Sequence, residues 1–334
     1  MKCRWILGGG IFFEKLFFFI LNRIFYCNFT QNFNVMNRIL LLNCFLLTFF
    51  LSCRMTKIPT NFDWQGHRGC RGVLPENTVA AMLNALTYAH VRTLELDLAV
   101  SRDSQLIVSH EPWMSAEICT APNGINAELG KKTKIFDLTY DQIKQFDCGS
   151  KGNARFPEQK PMSTYKPSLR DLVNEVKTFC EKNKRDLPFF NIEIKSQPDY
   201  DGVFSPPVDV FVKMVFEEME ALGITEKCCV QSFDTRACEA IHRENVGKNR
   251  VQIAFLVENT GGVPENLKKL TFRPDIYSCY FKLLRKSDIE ALHAQQIRVV
   301  PWTVNNLTDM RRLIRWGVDG IITDYPNRID SLLK

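Results

Sequence analysis

An alternation constrains this chain more than any other feature. From residue 62 onward, short apolar runs take turns with amphipathic segments. The runs are 62–67 (FDWQGH), 93–98 (TLELDL), 189–194 (FFNIEI), 228–232 (CCVQS), 251–256 (VQIAFL), 276–280 (IYSCY), 298–303 (RVVPWT) and 320–324 (GIITD). Amphipathic segments at 77–89, 168–183, 207–222, 235–245, 286–296 and 306–316 lie between most of them. Near-continuous apolar strands separated by helices imply a parallel sheet covered on its outer face. Eight such strands predict an α/β fold of the TIM (β/α)8 barrel type, which uses about 250 residues. A ninth run, 105–109 (QLIVS), breaks the alternation, because only a few residues around Arg102-Asp103-Ser104 precede it. A parallel return needs a crossover of about a dozen residues, so this strand folds back as an antiparallel hairpin. Residues 111–165 show little periodicity and are rich in Pro, Gly, Asn and Lys. They read as an insertion over one mouth of the barrel, a small subdomain or lid.

The first 53 residues stand apart. They hold eleven of the 25 Phe and a net charge of +4, which leaves +2 for residues 54–334. So even a balance argues against an electrostatic nucleic-acid binder. The segment from Met36 reads MNRILLLNCFLLTFFLSC: a basic residue, an apolar run from Ile39 to Leu51, a small residue, then Cys53. That is the layout of a secretory signal peptide. The ending Phe50-Leu51-Ser52-Cys53 resembles a loose bacterial lipobox, although a small residue is usual where Leu51 stands. In that reading Cys53 is lipidated, anchors residues 54–334 to a membrane and becomes the mature N-terminus; Met36 is the start and residues 1–35 are upstream sequence. The alternative is an uncleaved anchor, for which the apolar run is short. Either reading exports the domain, to the periplasm or the cell surface.

Twelve Cys is a high count. Cys3, Cys27, Cys44 and Cys53 belong to the N-terminal segment, and the other eight are scattered without zinc spacing. A domain of this size needs no disulfide framework, so most read as small buried hydrophobes, and pairing is not legible from spacing.

In a barrel of this type function gathers where strands end, at the C-terminal face. Four strand ends deliver polar groups there: Gly66-His67-Arg68-Gly69, Glu95-Leu96-Asp97, Glu193-Ile194-Lys195 and Ser109-His110. Strand side chains alternate, so Glu95 and Asp97 share one face, as do Glu193 and Lys195. Unpaired carboxylates inside a barrel are costly, and a hard cation is their natural partner. Taken singly, each signal has a plain structural reading: an ExD is weak, a lone His is more often a hydrogen-bonded structural residue, and ExK is commonly a salt bridge. Taken together, three carboxylates, two histidines, an Arg and a Lys on one face suit phosphoryl transfer without a protein nucleophile. Arg68 and Lys195 can hold the non-bridging oxygens.

The stretches HRGCRGVLPENT, TLELDLAVSRDSQLIVSHEP, NIEIKS, PWTVNN and GVDGIITDYP resemble the glycerophosphodiester phosphodiesterase family in order and spacing, from about Trp64 to about Tyr325. The resemblance implies a barrel that hydrolyses glycerophosphodiesters to an alcohol and glycerol 3-phosphate. It implies Glu95, Asp97 and Glu193 as ligands of one divalent cation, Ca²⁺ or Mg²⁺, and His67 and His110 as the acid/base pair. It implies Arg68 and Lys195 as phosphate contacts and Trp302 as a pocket wall, although Trp302 could equally be a core residue. Glu76, of the PENT sequence, would steady Arg68 or the metal site; it could equally be an acid beside a helix dipole. Two departures stand at turns or beside the site: Asp103-Ser104 where the family has Asp-Gly, and His110-Glu111 where it has His-Asp. They imply tuning, not loss of activity. Two alternatives remain open. One is a phospholipase C-like or sphingomyelinase D-like esterase acting on intact lipids, which an apolar rim would favour. The other is a catalytically silent surface lipoprotein that binds phosphate esters, which a missing His or carboxylate would favour. The head group, the metal and the oligomeric state are not legible.

Overall fold

The fold is seen in a computed structural model that describes residues 58–124, 126, 129–246 and 251–333. Cys53 and the apolar run before it lie outside the described residues. The elements are β1 (Asp63–Gly66), α1 (Val79–Thr87), β2 (Val91–Val100), β3 (Leu106–Val108), β4 (Trp113–Met114), β5 (Gly130–Lys134) and α2 (Tyr140–Ile143). They continue with α3 (Leu169–Lys182), β6 (Phe189–Ile194), α4 (Val208–Ala221), β7 (Cys228–Ser232), α5 (Thr235–Glu244), β8 (Gln252–Val257) and α6 (Gly262–Leu267). The last are β9 (Ile276–Cys279), α7 (Lys286–Ala294), β10 (Arg298–Val299), α8 (Leu307–Trp316), β11 (Gly320–Thr323) and α9 (Asp330–Leu333).

Eight strands pair in parallel in the order β10-β9-β8-β7-β6-β2-β1-β11. Backbone hydrogen bonds cross the remaining seam. Asp319 N–H donates to Val299 O (2.9 Å), Ile322 N–H to Pro301 O (3.1 Å) and Val304 N–H to Ile322 O (2.9 Å). The sheet is therefore a nearly closed TIM barrel. The strand expected over 298–303 is regular only at Arg298–Val299, since Pro301 has no N–H to donate to a ladder. β3 pairs antiparallel with β2, Leu98 opposite Val108 and Val100 opposite Leu106. Ser104, in the turn between them, adopts a left-handed φ of 59°, the conformation a glycine adopts without cost.

Helix patterns explain the outer layer. In α3, Leu169, Leu172, Val173, Val176 and Cys180 form one buried stripe, and Ser168 caps the N-terminus by accepting from Asp171 N–H. They pack with the outward faces of the strands, Leu94, Leu96, Leu98, Ile192, Ile194 and Val230 among them, in one continuous core. Inside the barrel lies a smaller cluster of Cys229, Ala254, Ile276, Val300 and Ile322, with Trp302 packed against it.

The stretch after β3 is more structured than its weak periodicity suggested. It builds a separate small core from Met114, Ile118, Cys119, Leu129, Ile135, Ile143 and Cys148, resting on Ala99 and Ile107 of the hairpin. A Cys119–Cys148 disulfide, 29 residues apart in sequence, fastens it beside the Thr120–Asp147 backbone bridge. The other six described cysteines are free and buried. Among the described residues, no helix is long and apolar enough to cross a membrane.

Candidate active site

The turn after β1 is built around two glycines. A Cβ on Gly66 would lie 2.1 Å from Gly69 O, and one on Gly69, at φ 81°, would lie 2.6 Å from the Ala81 backbone. Arg68 is also left-handed, at φ 50°. The tight turn aims the Arg68 N–H at Glu95 Oε2 (2.8 Å) and seats α1 against the strand end. Gly69→Ala is expected to lower stability by about 2 kcal/mol or more, because both backbone strain and a clash with main-chain atoms must be relieved. A denaturant midpoint unchanged from wild type would show that the turn relaxes freely.

His67 is buried, and its Nδ1 lies 2.6 Å from Asp324 Oδ1. Asp324 follows β11 and also accepts from Arg71 Nε (2.9 Å) and Asn305 Nδ2 (2.7 Å). Burial alone would raise the Asp324 carboxyl, but His67 and Arg71 hold it well below the carboxylate range. Burial first, and then Arg71, push the His67 imidazole down to about 4, against the pull of Asp324. The ring is thus neutral at pH 7. With Nδ1–H given to an ionised carboxylate, Nε2 carries the free lone pair, 3.9 Å from Glu95 Oε2.

The PENT sequence divides its labour residue by residue. Glu76 Oε1 accepts from Arg68 Nη1 (2.7 Å), Asn77 Nδ2 donates to Asp97 Oδ2 (2.8 Å), and Thr78 caps α1 by accepting from Ala81 N–H (3.1 Å). Glu76 also feels burial, which raises its carboxyl, but Arg68 and Arg71 bring it down to about 2.

Glu95, Asp97 and Glu193 converge inside the barrel mouth. Sheet register puts Asp97 beside Glu193 and Glu95 beside Asn191. One carboxylate oxygen of each lies within 4.8 Å of the others. Gln231 Nε2 donates to Glu95 Oε1 (3.0 Å) and is joined through Asn191 to Gln65, a polar column rising through the barrel. Lys195 Nζ lies 2.7 Å from Glu193 Oε1 and 3.2 Å from Asp97 Oδ1, and Arg68 Nε 3.3 Å from Asp97 Oδ2. These cations hold Asp97 well below its ordinary range although burial opposes them. Burial and the charge of Asp97 push Glu95 well up, and burial raises Glu193 to about 7 despite Lys195. Asp97 Oδ1 is buried, and Lys195 Nζ is its one close charge partner among the contacts given above. All-oxygen donors and three buried carboxylates crowded within reach of one another are what a hard divalent cation fits.

His110 follows the hairpin and meets Glu111, with Nδ1 2.5 Å from Glu111 Oε2. Burial, then Lys195 and Arg68, lower its basicity. A cavity of about 160 Å³ holds His67, Arg68, Glu95, His110, Glu193, Lys195 and Trp302 on its walls. A larger groove of about 640 Å³ adjoins it; His110, Glu193, Lys195, Phe233 and Glu258 line both. Trp302 Nε1 donates to Ser278 O (3.1 Å), which fixes its ring across the inner cavity.

The structure thus brings His67, Arg68, Glu76, Glu95, Asp97, His110, Glu193, Lys195 and Trp302 to one end of the barrel. Sequence reasoning passed over Asp324, Arg71, Asn77, Gln231 and Lys166. Asp324 was readable only as the end of a strand. Lys166 is buried, and burial lowers its ammonium while Glu76 and Glu111 oppose the shift. Its neighbour Pro167 accepts from Val108 N–H (2.8 Å), which sets this segment beside the hairpin that carries His110.

The chain is similar to known proteins across most of their length. The sequence model of the glycerophosphoryl diester phosphodiesterase family matches residues 67–328. A glycerophosphodiester phosphodiesterase of Bacillus subtilis is 26% identical over 279 residues, covering 80% of this chain and 85% of its own. A lysophospholipase D of Rattus norvegicus is 25% identical, covering 80% of this chain and 85% of its own. The solved structure of an Oleispira antarctica phosphodiesterase in complex with sn-glycerol-3-phosphate superposes with a TM-score of 0.63 at 18% identity, covering 81% of this chain and 96% of that one. At that identity the likeness speaks for the fold. The family match spans well over half of the sequence and takes in both histidines and all three carboxylates of the cluster, so this chain belongs to the glycerophosphoryl diester phosphodiesterase family.

Proposed function

We propose that the protein hydrolyses glycerophosphodiesters to glycerol 3-phosphate and a free alcohol, using His67 and His110 as its proton-transfer groups and a cation at Glu95, Asp97 and Glu193. The observation that carries this reading is one cavity lined by two carboxylate-tethered imidazoles and by Glu95 and Glu193 of the buried three-carboxylate cluster. When bound there, Ca²⁺ or Mg²⁺ neutralises phosphate charge and polarises the ester.

The residues of the chain divide the rest. Arg68 and Lys195 face the inner cavity and hold non-bridging phosphate oxygens. His67 lines the inner cavity, and its neutral Nε2 takes a proton from the attacking water. His110 lines both the cavity and the groove, so it stands where the alcohol departs and gives that alcohol its proton. Burial, and then Lys195 and Arg68, depress His110 in the free protein, and a bound anionic diester offsets the two cations. The bond from phosphorus to the alcohol oxygen breaks, water oxygen joins phosphorus, and one proton passes to the alcohol. The test is product analysis on a panel of glycerophosphodiesters and intact phospholipids. The reading expects glycerol 3-phosphate from the former; cleavage of intact phospholipids alone would favour the phospholipase-like alternative.

We propose further that the domain is exported and tethered through Cys53. The Met36–Cys53 pattern supports this, and so does the Cys119–Cys148 disulfide, since disulfides persist in oxidising compartments. A bacterial lipoprotein's several acyl chains would hold it stably where one chain would not. Mass spectrometry of the mature protein is expected to find an acylated Cys53 at its N-terminus. An unmodified peptide spanning Ser52 and Cys53 in the bulk of the protein would exclude cleavage there.

A further inference from the structure

Resting on the hydrolase reading above, we infer that the 640 Å³ groove beside the phosphate cavity selects a leaving alcohol that carries a positive charge, of the choline or ethanolamine kind. The two cavities differ in what they offer. The inner one is walled by the phosphate and metal groups and by Trp302. The groove adds Trp113 and Tyr200 and shares Phe233 and Glu258 with the inner cavity. A diester whose phosphate is held by Lys195 beside His110 has the groove open to one of its two alcohols, because both residues line both spaces.

Charge decides which alcohol suits it. Glu111 in the groove wall is tied to His110, Glu193 to Lys195, and Asp234 to Arg236 (2.7 Å). Glu258, exposed directly after β8, makes no hydrogen bond or ion pair with another described residue. A carboxylate at this rim attracts a cationic alcohol and gives a neutral one no equivalent. The aromatic rings act in the same direction. Phe233 is 41% exposed, a large fraction for a Phe, and stands edge-on to Trp302 with centroids 5.5 Å apart. Trp113 packs on Phe204, which packs on Tyr200, at 5.6 and 5.1 Å. Two of these rings already face an ammonium: Lys131 Nζ lies 5.4 Å from the centre of Trp113, and Lys195 Nζ, paired with Glu193 and Asp97, lies 6.0 Å from that of Phe233. Aromatic faces beside an unpaired carboxylate are the recognition chemistry of quaternary and primary ammonium groups. An uncharged polyol such as glycerol or inositol gains nothing from either feature.

The experiment compares kcat/KM for glycerophosphocholine with that for glycerophosphoglycerol, read as glycerol 3-phosphate release by the full chain. The wild type is expected to favour the choline ester. In Glu258→Gln and in Phe233→Leu that preference is expected to shrink roughly tenfold, the size of a partly desolvated cation–carboxylate or cation–π contact. Free choline is expected to inhibit the wild type more strongly than its uncharged isostere 3,3-dimethylbutanol, and to lose that advantage in Glu258→Gln. A wild-type preference for glycerophosphoglycerol, or a ratio that neither variant changes, would overturn the inference while leaving hydrolysis intact. Absence of glycerol 3-phosphate from both substrates would overturn the hydrolase reading and this inference with it.

Discussion

Replacing His67 or His110 with alanine is expected to lower kcat for glycerophosphodiester hydrolysis by about 10²–10⁴-fold, the usual contribution of one general acid or base. Each ring is oriented through Nδ1 by a carboxylate, Asp324 for His67 and Glu111 for His110, which leaves Nε2 as the working atom. Neither ring is packed as an apolar core residue, so folding is expected to survive. A circular dichroism spectrum and melting profile like those of the wild type would separate lost chemistry from lost structure. His67→Ala leaves Asp324 its Arg71 and Asn305 partners, which limits the structural penalty. A variant that keeps near-normal kcat would return its histidine to a structural role. Because the two rings serve one reaction, the double variant is expected to lose far less than the product of the single losses.

A second large loss is expected from the carboxylate cluster. Excess chelator should abolish turnover of the wild type, and Ca²⁺ or Mg²⁺ should restore it. Glu193→Gln is the most telling substitution. The amide keeps the shape of the side chain and an oxygen for Lys195, which stays paired with Asp97 (3.2 Å), and a melting profile like that of the wild type would show that the fold survives. It removes one anionic ligand, and activity is expected to fall by about 10²-fold or more, because cation stabilisation of a phosphoryl transition state is worth several kcal/mol. Part of the loss is expected to return at high cation concentration. Turnover by the wild type that persists in excess chelator would contradict the metal assignment.

The fold was legible where burial makes sequence one-dimensional. Strands covered on both sides must be apolar throughout, and the eight runs announced themselves for that reason. The hairpin was legible from the short link before Leu106. The candidate site was legible wherever strand parity acts: Glu95 with Asp97, and Glu193 with Lys195, are two apart and so share a face. What escaped depends on contacts between distant segments. Asp324 meets His67 across 257 positions of sequence, and no local pattern marks that contact. Gln231 and Asn191 read as polar interruptions of apolar strands, yet they form the column beneath Glu95. The insertion was legible as a break in periodicity, but its internal core was not, being small and assembled from short pieces, nor was the Cys119–Cys148 pairing, on which spacing alone is silent. The groove is likewise tertiary: Trp113, Tyr200, Phe233 and Glu258 come from four segments far apart in sequence.

The most direct test of the central claim is hydrolysis of a glycerophosphodiester in ¹⁸O-labelled water by the wild-type protein loaded with Ca²⁺ or Mg²⁺. The account predicts glycerol 3-phosphate that carries the label on its phosphate, an unlabelled alcohol, and no product once the cation is chelated. Label in the alcohol, or product formed at an undiminished rate in excess chelator, would contradict it.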